Sequence, residues 1–591
     1  MKALKVFGLG IALTLVACSS DDSNEESVSS TDNALSGNDD DDRGRGDRDY
    51  VDPLKNGPYL AGSKSIFVRD PSRRFDPWNE VYGSSDYKTL LTHLNAIGEP
   101  RTLVTEVWYP VDAPRGCGSS GHGHGQGQDH DGDDDFDDAH CQLGSVQHPT
   151  YLDYYFGDRS IFDRRSVSPY MITASGQPVA AIQANDPTAF AALEHDVLDE
   201  LANRKRGSWA NAPIANGRFP VVVLSHGGFT GNVRPDSSRE MWTSLGEKLA
   251  SHGYIVVAMN HTGDSRLPAV FHDAGSKLRQ QEGQAAVNAA YQILFSQAPV
   301  PDRITGLIFQ PGGFPIANEM MQHLFEMRAD DVMSVIKSIK ALDKDRHSFL
   351  GGHVDTDHIG VSGHSLGSMT TQIVLASEKS VTTGIGWNNG LPKSWEPPRF
   401  KPITKPTLLT LAYEDDLSRT FFTNVPFMIY PNVVPGGQPS DYLFLASERV
   451  FPPTLDNPEP VVRSCYGRLQ GPKELLGFVD STHWDVTDYD DYLFPRYRLA
   501  AGETKVAFDN VLQHMPFGQD VLDPNFVGAS YSTVSWTQVG GKWEYTPHVM
   551  RDYYSVAWFG RYLKGIGTYA NDLQHDPFGD KTVVLKQGIR R

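Results

Sequence analysis

Cysteine is scarce in this chain. Four residues among 591 exclude a scaffold built from disulfides. Apolar length is missing at the start as well: Val6 to Leu15, after the basic Met1-Lys2-Ala3-Leu4-Lys5, is too short for a permanent membrane span. No repeat of fixed period is present, which excludes a solenoid. Positive charge is in deficit, 53 Lys and Arg against 73 Asp and Glu for a net charge of −20. With no basic surface interleaved with aromatics, nucleic acid is not an expected partner. Neither a regular EF-hand spacing nor H-E-x-x-H occurs, so no catalytic metal is expected.

What is present is unevenly distributed. Residues 21–50 carry 11 acids and three arginines, and residues 121–140 carry seven acids and no Lys or Arg, so 15 of the 20 excess negative charges lie in two stretches poor in apolar side chains. The remainder is closer to balanced, and its length suffices for a large buried core. The acidity therefore does not select a cationic substrate.

The feature that points to chemistry is Gly363-His364-Ser365-Leu366-Gly367. It follows Asp357-His358-Ile359-Gly360-Val361-Ser362, which supplies a short strand, and precedes Ser368 to Ala376, which supplies a helix. A serine can project its hydroxyl from a strand end only if the backbone bends tightly into the next helix. Gly363 and Gly367 remove the Cβ atoms that collide across such a bend. Ser365 is the candidate nucleophile. Phe219-Pro220-Val221-Val222-Val223-Leu224-Ser225-His226-Gly227-Gly228 reads as a buried strand ending in a glycine turn. The backbone N–H groups of Gly228 and Leu366 are the candidate donors for an oxyanion, with His226 orienting the turn rather than transferring protons.

Such a serine requires a base and an acid. His483 follows the apolar Leu476-Gly477-Phe478-Val479 and is the candidate base; His514, His548 and His575 lack that strand-end setting. Pro406 to Tyr413 reads as a buried strand that ends in Glu414-Asp415-Asp416. Asp415 is the candidate acid, with Asp416 as the alternative, holding the imidazole toward Ser365.

Together these segments, with Arg101 to Pro110 and Ser251 to His261, resemble the α/β-hydrolase superfamily, and more narrowly its platelet-activating factor acetylhydrolase and dienelactone hydrolase relatives. The resemblance spans roughly residues 57 to 565 with insertions. It implies an α/β fold with a mostly parallel sheet, helices on both faces and a cap built from the insertions. It also implies a serine carboxylester hydrolase needing no metal or organic cofactor and acting on an ester-containing small molecule or lipid. An amidase or peptidase with the same serine chemistry and a noncatalytic lipid-anchored binding protein are the alternatives. One departure stands out: in the acetylhydrolase branch the acid follows the strand after the nucleophile helix, and Asn388 occupies that position here. A serine replaces the cysteine typical of dienelactone hydrolases, which favours ester hydrolysis.

The amino end carries a separate message. Leu15-Val16-Ala17-Cys18 resembles a bacterial lipobox, so residues 1–17 are expected to be a lipoprotein signal peptide and Cys18 the lipid attachment site. Residues 18–50 then form an acidic tether to the membrane of the bacterial cell envelope. Ser19 and Ser20 suit transfer to an outer membrane. Residues 51–591 form one elaborated catalytic body. Within it, residues 116–141 are a His/Asp/Gly-rich insertion whose His122, His124, His130 and His140 are weak metal-ligand candidates and read first as a solvated loop. Cys117 and Cys141 bracket this insertion and are a possible disulfide.

Overall fold

A computed structural model describes residues 49–77, 83–114, 143, 145–164, 188, 195, 198–199, 201–228, 238–265, 269–296, 314–388, 390–391, 396–413, 469–479, 486–488, 536–539, 542–575, 577–579 and 582–587. Cys18, Cys117, Cys141, His122, His124, His130, His140, Asp415, Asp416 and His483 lie outside the described residues, as do all of residues 414–468.

Strands form where Val, Ile and Leu run together, as at 221–224 and 255–259, and also in mixed segments that pairing holds extended, as in Leu60–Asp70. The strands are β1 (Leu60–Asp70), β2 (Arg101–Val111), β3 (Trp209–Ala210), β4 (Phe219–Ser225), β5 (Ile255–Met259), β6 (Val354–His364), β7 (Val381–Trp387), β8 (Thr407–Tyr413) and β9 (Lys473–Val479). A hairpin, β10 (Trp536–Val539) and β11 (Lys542–Tyr545), and a last strand, β12 (Thr582–Gln587), follow. The main sheet has ten strands in the order β12-β9-β8-β7-β6-β4-β5-β2-β1-β3. From β9 to β5 every neighbouring pair is parallel, while β2 meets β1 and β5, and β12 meets β9, antiparallel. Parallel neighbours need crossovers. These are supplied by helices α2 (Thr243–Ser251), α3 (Lys277–Ser296), α4 (Phe314–Lys344) and α5 (Leu366–Ser377); α1 (Ser85–Ala96) and α6 (Thr546–Tyr562) complete the covering.

Every residue of β4 and β5 is buried, as expected for strands covered on both faces. The pleat then sorts the side chains. Val222, Leu224, Val256 and Ala258 join Trp242, Leu245, Trp558 and Phe559 on the α2/α6 face. Val221, Val223, Ile255 and Val257 join Val332, Val335, Ile336 and Ile373 on the α4/α5 face. Each fully buried side chain of this kind contributes roughly 1.5–3 kcal/mol, so the two layers fix the register of the central strands. Of the apolar stripes that the spacing predicts, Val332, Val335, Ile336 and Ile339 on α4, Val556, Ala557 and Phe559 on α6 and Leu563 just past it are core, while Leu342 and Tyr562 are partly buried against it. Among the described residues no helix is long and apolar enough to cross a membrane.

The elements extend beyond the sequence reading in three places. β6 begins at Val354, because its first residues pair with Phe219 and Pro220 before a register shift. α4 begins at Phe314, before the helix its apolar stripe predicts, and α3 lies in residues 266–320, which the sequence reads as a long addition between core elements. α3 is interrupted at Gly283, with φ 80° and ψ −173°, so its apolar positions do not keep one helical phase.

Candidate functional site

All parallel strands from β9 to β5 point the same way, so their carboxyl ends share one edge of the sheet, where α/β proteins place their ligands. Ser365 follows β6 on that edge and Gly228 lies three residues after β4. The described chain stops at Tyr413 of β8, two residues before Asp415, and at Val479 of β9, four residues before His483. It resumes at Val486, where Val486, Thr487 and Asp488 are buried. There the Asp488 N–H donates to the Met241 carbonyl at 2.9 Å, and Arg551 of α6 pairs with the Asp488 carboxylate at 2.9 Å. His548 is engaged in the same place, its Nε2 2.9 Å from the Thr487 carbonyl.

Ser365 has φ 56° and ψ −116°. A non-glycine residue held at positive φ outside the helical wells costs of order 1–3 kcal/mol and persists only when its surroundings impose it. Here the surroundings are backbone. A Cβ on Gly363 would stand 2.4 Å from the Gly367 carbonyl carbon, and one on Gly367 would stand 2.1 Å from the Ser225 carbonyl oxygen. The two glycines let the bend close on itself and on β4, as their spacing in the sequence predicts. The Ser365 N–H donates to the Trp387 carbonyl at 3.0 Å, which ties the bend to β7. Among the described residues the Ser365 hydroxyl has no hydrogen-bond partner. The Leu366 N–H opens α5 and has no acceptor within the helix. Gly227 lies alongside: a Cβ there would be 3.4 Å from the Ser365 Cβ and 3.5 Å from the His364 carbonyl oxygen.

Beneath this turn is a buried polar array that sequence reasoning missed. The Ser225 hydroxyl donates to His261 Nε2 at 2.9 Å, and His261 Nδ1 donates to Asp331 at 3.0 Å. Asp331 also accepts from Arg101 at 2.6 and 2.7 Å and from Arg73 at 2.6 Å. Burial opposes the charge on Asp331, but these cations and the His261 bond hold its carboxyl far below the usual carboxylate range. Burial, then the Arg328 guanidinium, lowers the His261 pKa to about 3, so the ring is neutral and its one proton sits on Nδ1. His226 is neutral for the same reasons, burial first and Arg328 second. Its Nε2 accepts from the His261 N–H at 3.1 Å and the Ser265 hydroxyl at 3.0 Å, which leaves Nδ1 to donate to the Gly227 carbonyl at 2.6 Å. His226 thus orients the glycine turn, as expected. The signal for the array was Arg328 and Asp331, two charges three residues apart on a helix whose other inward positions are, Ser334 aside, apolar.

Asn388, at the position where the acetylhydrolase resemblance implies the acid, has φ 55°. It is buried at the end of β7; its N–H donates to the Thr410 hydroxyl and its Oδ1 accepts from that hydroxyl, both at 3.0 Å.

This sheet order, with a strained serine between a parallel strand and the following helix, defines an α/β-hydrolase architecture with insertions. Residues 197–409 match the family model described as platelet-activating factor acetylhydrolase, isoform II. That span contains Gly228, Arg328, Ser365 and Leu366 and ends before Asp415, Asp416 and His483. A platelet-activating factor acetylhydrolase of Canis lupus familiaris is 27% identical over 176 residues, 30% of this chain and 36% of that protein. One of Cavia porcellus is 24% identical over 178 residues, again 30% of this chain and 36% of that protein. The chain therefore spans about a third of the length of the curated relatives it matches. A ferulic acid esterase from Streptomyces cinnamoneus is a structural neighbour at 18% identity and a TM-score of 0.42, covering 89% of this chain and 97% of that one.

Proposed function

We propose that this protein is a serine carboxylester hydrolase that works through an acyl-enzyme. The observation that carries the reading is Ser365 at φ 56° on the bend between β6 and α5, with Gly227 packed against it. His483 removes the Ser365 proton as the hydroxyl oxygen attacks the ester carbonyl carbon. The Gly228 and Leu366 N–H groups receive the negative charge on the carbonyl oxygen, a contribution of several kcal/mol to the barrier. Collapse of the tetrahedral intermediate breaks the bond to the alkoxy oxygen, which takes the proton from His483. Water then attacks the acyl-enzyme by the same route. Asp415, or Asp416, orients and stabilises the imidazolium from the strand neighbouring Asn388, whose amide is occupied by Thr410 and carries no charge.

The substrate is a small or lipid-like ester with a short acyl group, since both curated relatives are named for hydrolysis of an acetyl group. Cys18 carries the lipid that holds the enzyme on the bacterial envelope, with residues 18–50 as its tether.

Initial rates with p-nitrophenyl acetate, butyrate and decanoate, and with the acetyl anilide, test this reading. The expected order is acetate and butyrate above decanoate, with the anilide slowest and all turnover lost in Ser365→Ala. Equal ester rates for the parent and Ser365→Ala would overturn it, and a faster anilide would make the protein an amidase.

A further inference from the structure

The geometry points to Arg328 of α4 as the positioning residue that sets the two oxyanion donors relative to each other. Resting on the serine-hydrolase reading above, it assigns a role to a side chain that is fully buried.

Arg328 reaches both halves of the site with one planar group. Its Nε donates to the Thr370 hydroxyl at 3.1 Å, and that hydroxyl donates to the Leu366 carbonyl at 2.9 Å, one turn back on α5. Its Nη2 donates to the His226 carbonyl and to Ser225 Oγ at 3.3 Å, while Nη1 lies 3.5 Å from the Gly227 carbonyl and pairs with Asp264. A trans peptide directs its N–H opposite to its C=O. Drawing the Gly227 carbonyl toward Arg328 and His226 therefore turns the Gly228 N–H away from them. Securing α5 through Thr370 fixes the Leu366 N–H at the helix start. A lysine in place of Arg328 keeps the charge beside Asp264 but lacks the planar fork that reaches these acceptors at once.

The Ser225, His261 and Asp331 chain braces this clamp. Ser225 accepts from Arg328 and donates to His261, so the proton order runs in one direction from the guanidinium to the Asp331 carboxylate. No member is left to abstract a proton from substrate, which makes the array a support and not a second catalytic centre.

The experiment compares Arg328→Lys, Thr370→Val and Ser365→Ala in the full chain. It measures kcat/KM for p-nitrophenyl acetate and the inhibition constant of an aryl trifluoromethyl ketone, whose adduct with a serine carries an oxyanion. For Arg328→Lys, kcat/KM is expected to fall roughly 10²-fold, with the inhibition constant rising by the same factor. Thr370→Val moves both in the same direction by less. A merely structural role would lower the melting temperature without that proportionality. A folded Arg328→Lys with both constants within threefold of the parent would overturn the inference. If Arg328→Lys does not fold, unchanged constants in Thr370→Val overturn it equally. Full activity in Ser365→Ala would instead remove the site on which the inference rests.

Discussion

Two serines stand at the carboxyl ends of neighbouring parallel strands, Ser225 on β4 and Ser365 just past β6, and their surroundings are opposite. Ser225 sits beside a histidine and an aspartate, the residue types of a catalytic triad, yet it is saturated: Arg328 donates to its oxygen and its own proton is committed to His261. Its backbone is ordinary strand, and both partners are buried in a cage of Arg101, Arg73 and Arg328. Ser365 is held at positive φ by glycine contacts on either side, and its hydroxyl has no partner among the described residues. Residue types alone therefore do not identify a nucleophile. Backbone strain, and a hydroxyl with no partner among the described residues, separate the serine proposed to react from the one proposed to brace.

The contrast is broken most severely through rate. Ser365→Ala is expected to lower ester turnover roughly 10⁴-fold or more while leaving the melting temperature near that of the parent, read by steady-state kinetics and thermal denaturation on one preparation. Removing the carboxylate under the other serine should do the reverse. Asp331→Ala leaves Arg101 buried without its partner and is expected to cost about 3–5 kcal/mol of stability, measured by chemical denaturation.

Acid sharpens the comparison by acting on the brace. The folded-state pKa of His261 is lowered to about 3 by burial and then by Arg328, whereas the unfolded histidine titrates near 6.5. Between those values the unfolded chain holds a proton that the folded chain does not. Stability is therefore complete above pH 6.5 and is lost as pH falls, by about 2 kcal/mol at pH 5 from this group. A melting temperature that falls from pH 7 to pH 5, with a shallower slope in His261→Gln, is the expected result. The smallest effect belongs to Ser225→Ala, about 1–2 kcal/mol for the lost hydrogen bonds, with activity within roughly tenfold of the parent.

The central fold was legible because strands buried on both faces write themselves as unbroken apolar runs, as in Val221 to Leu224 and Ile255 to Met259. The outer elements were not. β1 carries Lys64, Ser65 and Arg69 beside Leu60 and Val68, and only its pairing with β2 makes it a strand. α3 lost its apolar phase at Gly283. At the site, the bend at Ser365 is local: its glycines lie within five residues, and a Cβ on either would collide with the bend itself or with Ser225 and His226 at the end of β4. Arg328 is different. Its acceptors lie 42, 64, 101, 102 and 103 residues away along the chain, and its helix shows a charge on an otherwise mostly apolar face without showing what that charge meets. A positioning residue reads as an interruption of an apolar stripe until the sheet brings its partners beneath it.

The claim that Ser365, and not Ser225, is the reacting serine is tested most directly by covalent mapping. The native protein is treated with a fluorophosphonate, digested, and the adduct located by mass spectrometry. The account predicts one stoichiometric adduct on Ser365, absent in Ser365→Ala and present at the parent rate in Ser225→Ala. An adduct on Ser225, or labelling that survives Ser365→Ala, would contradict it.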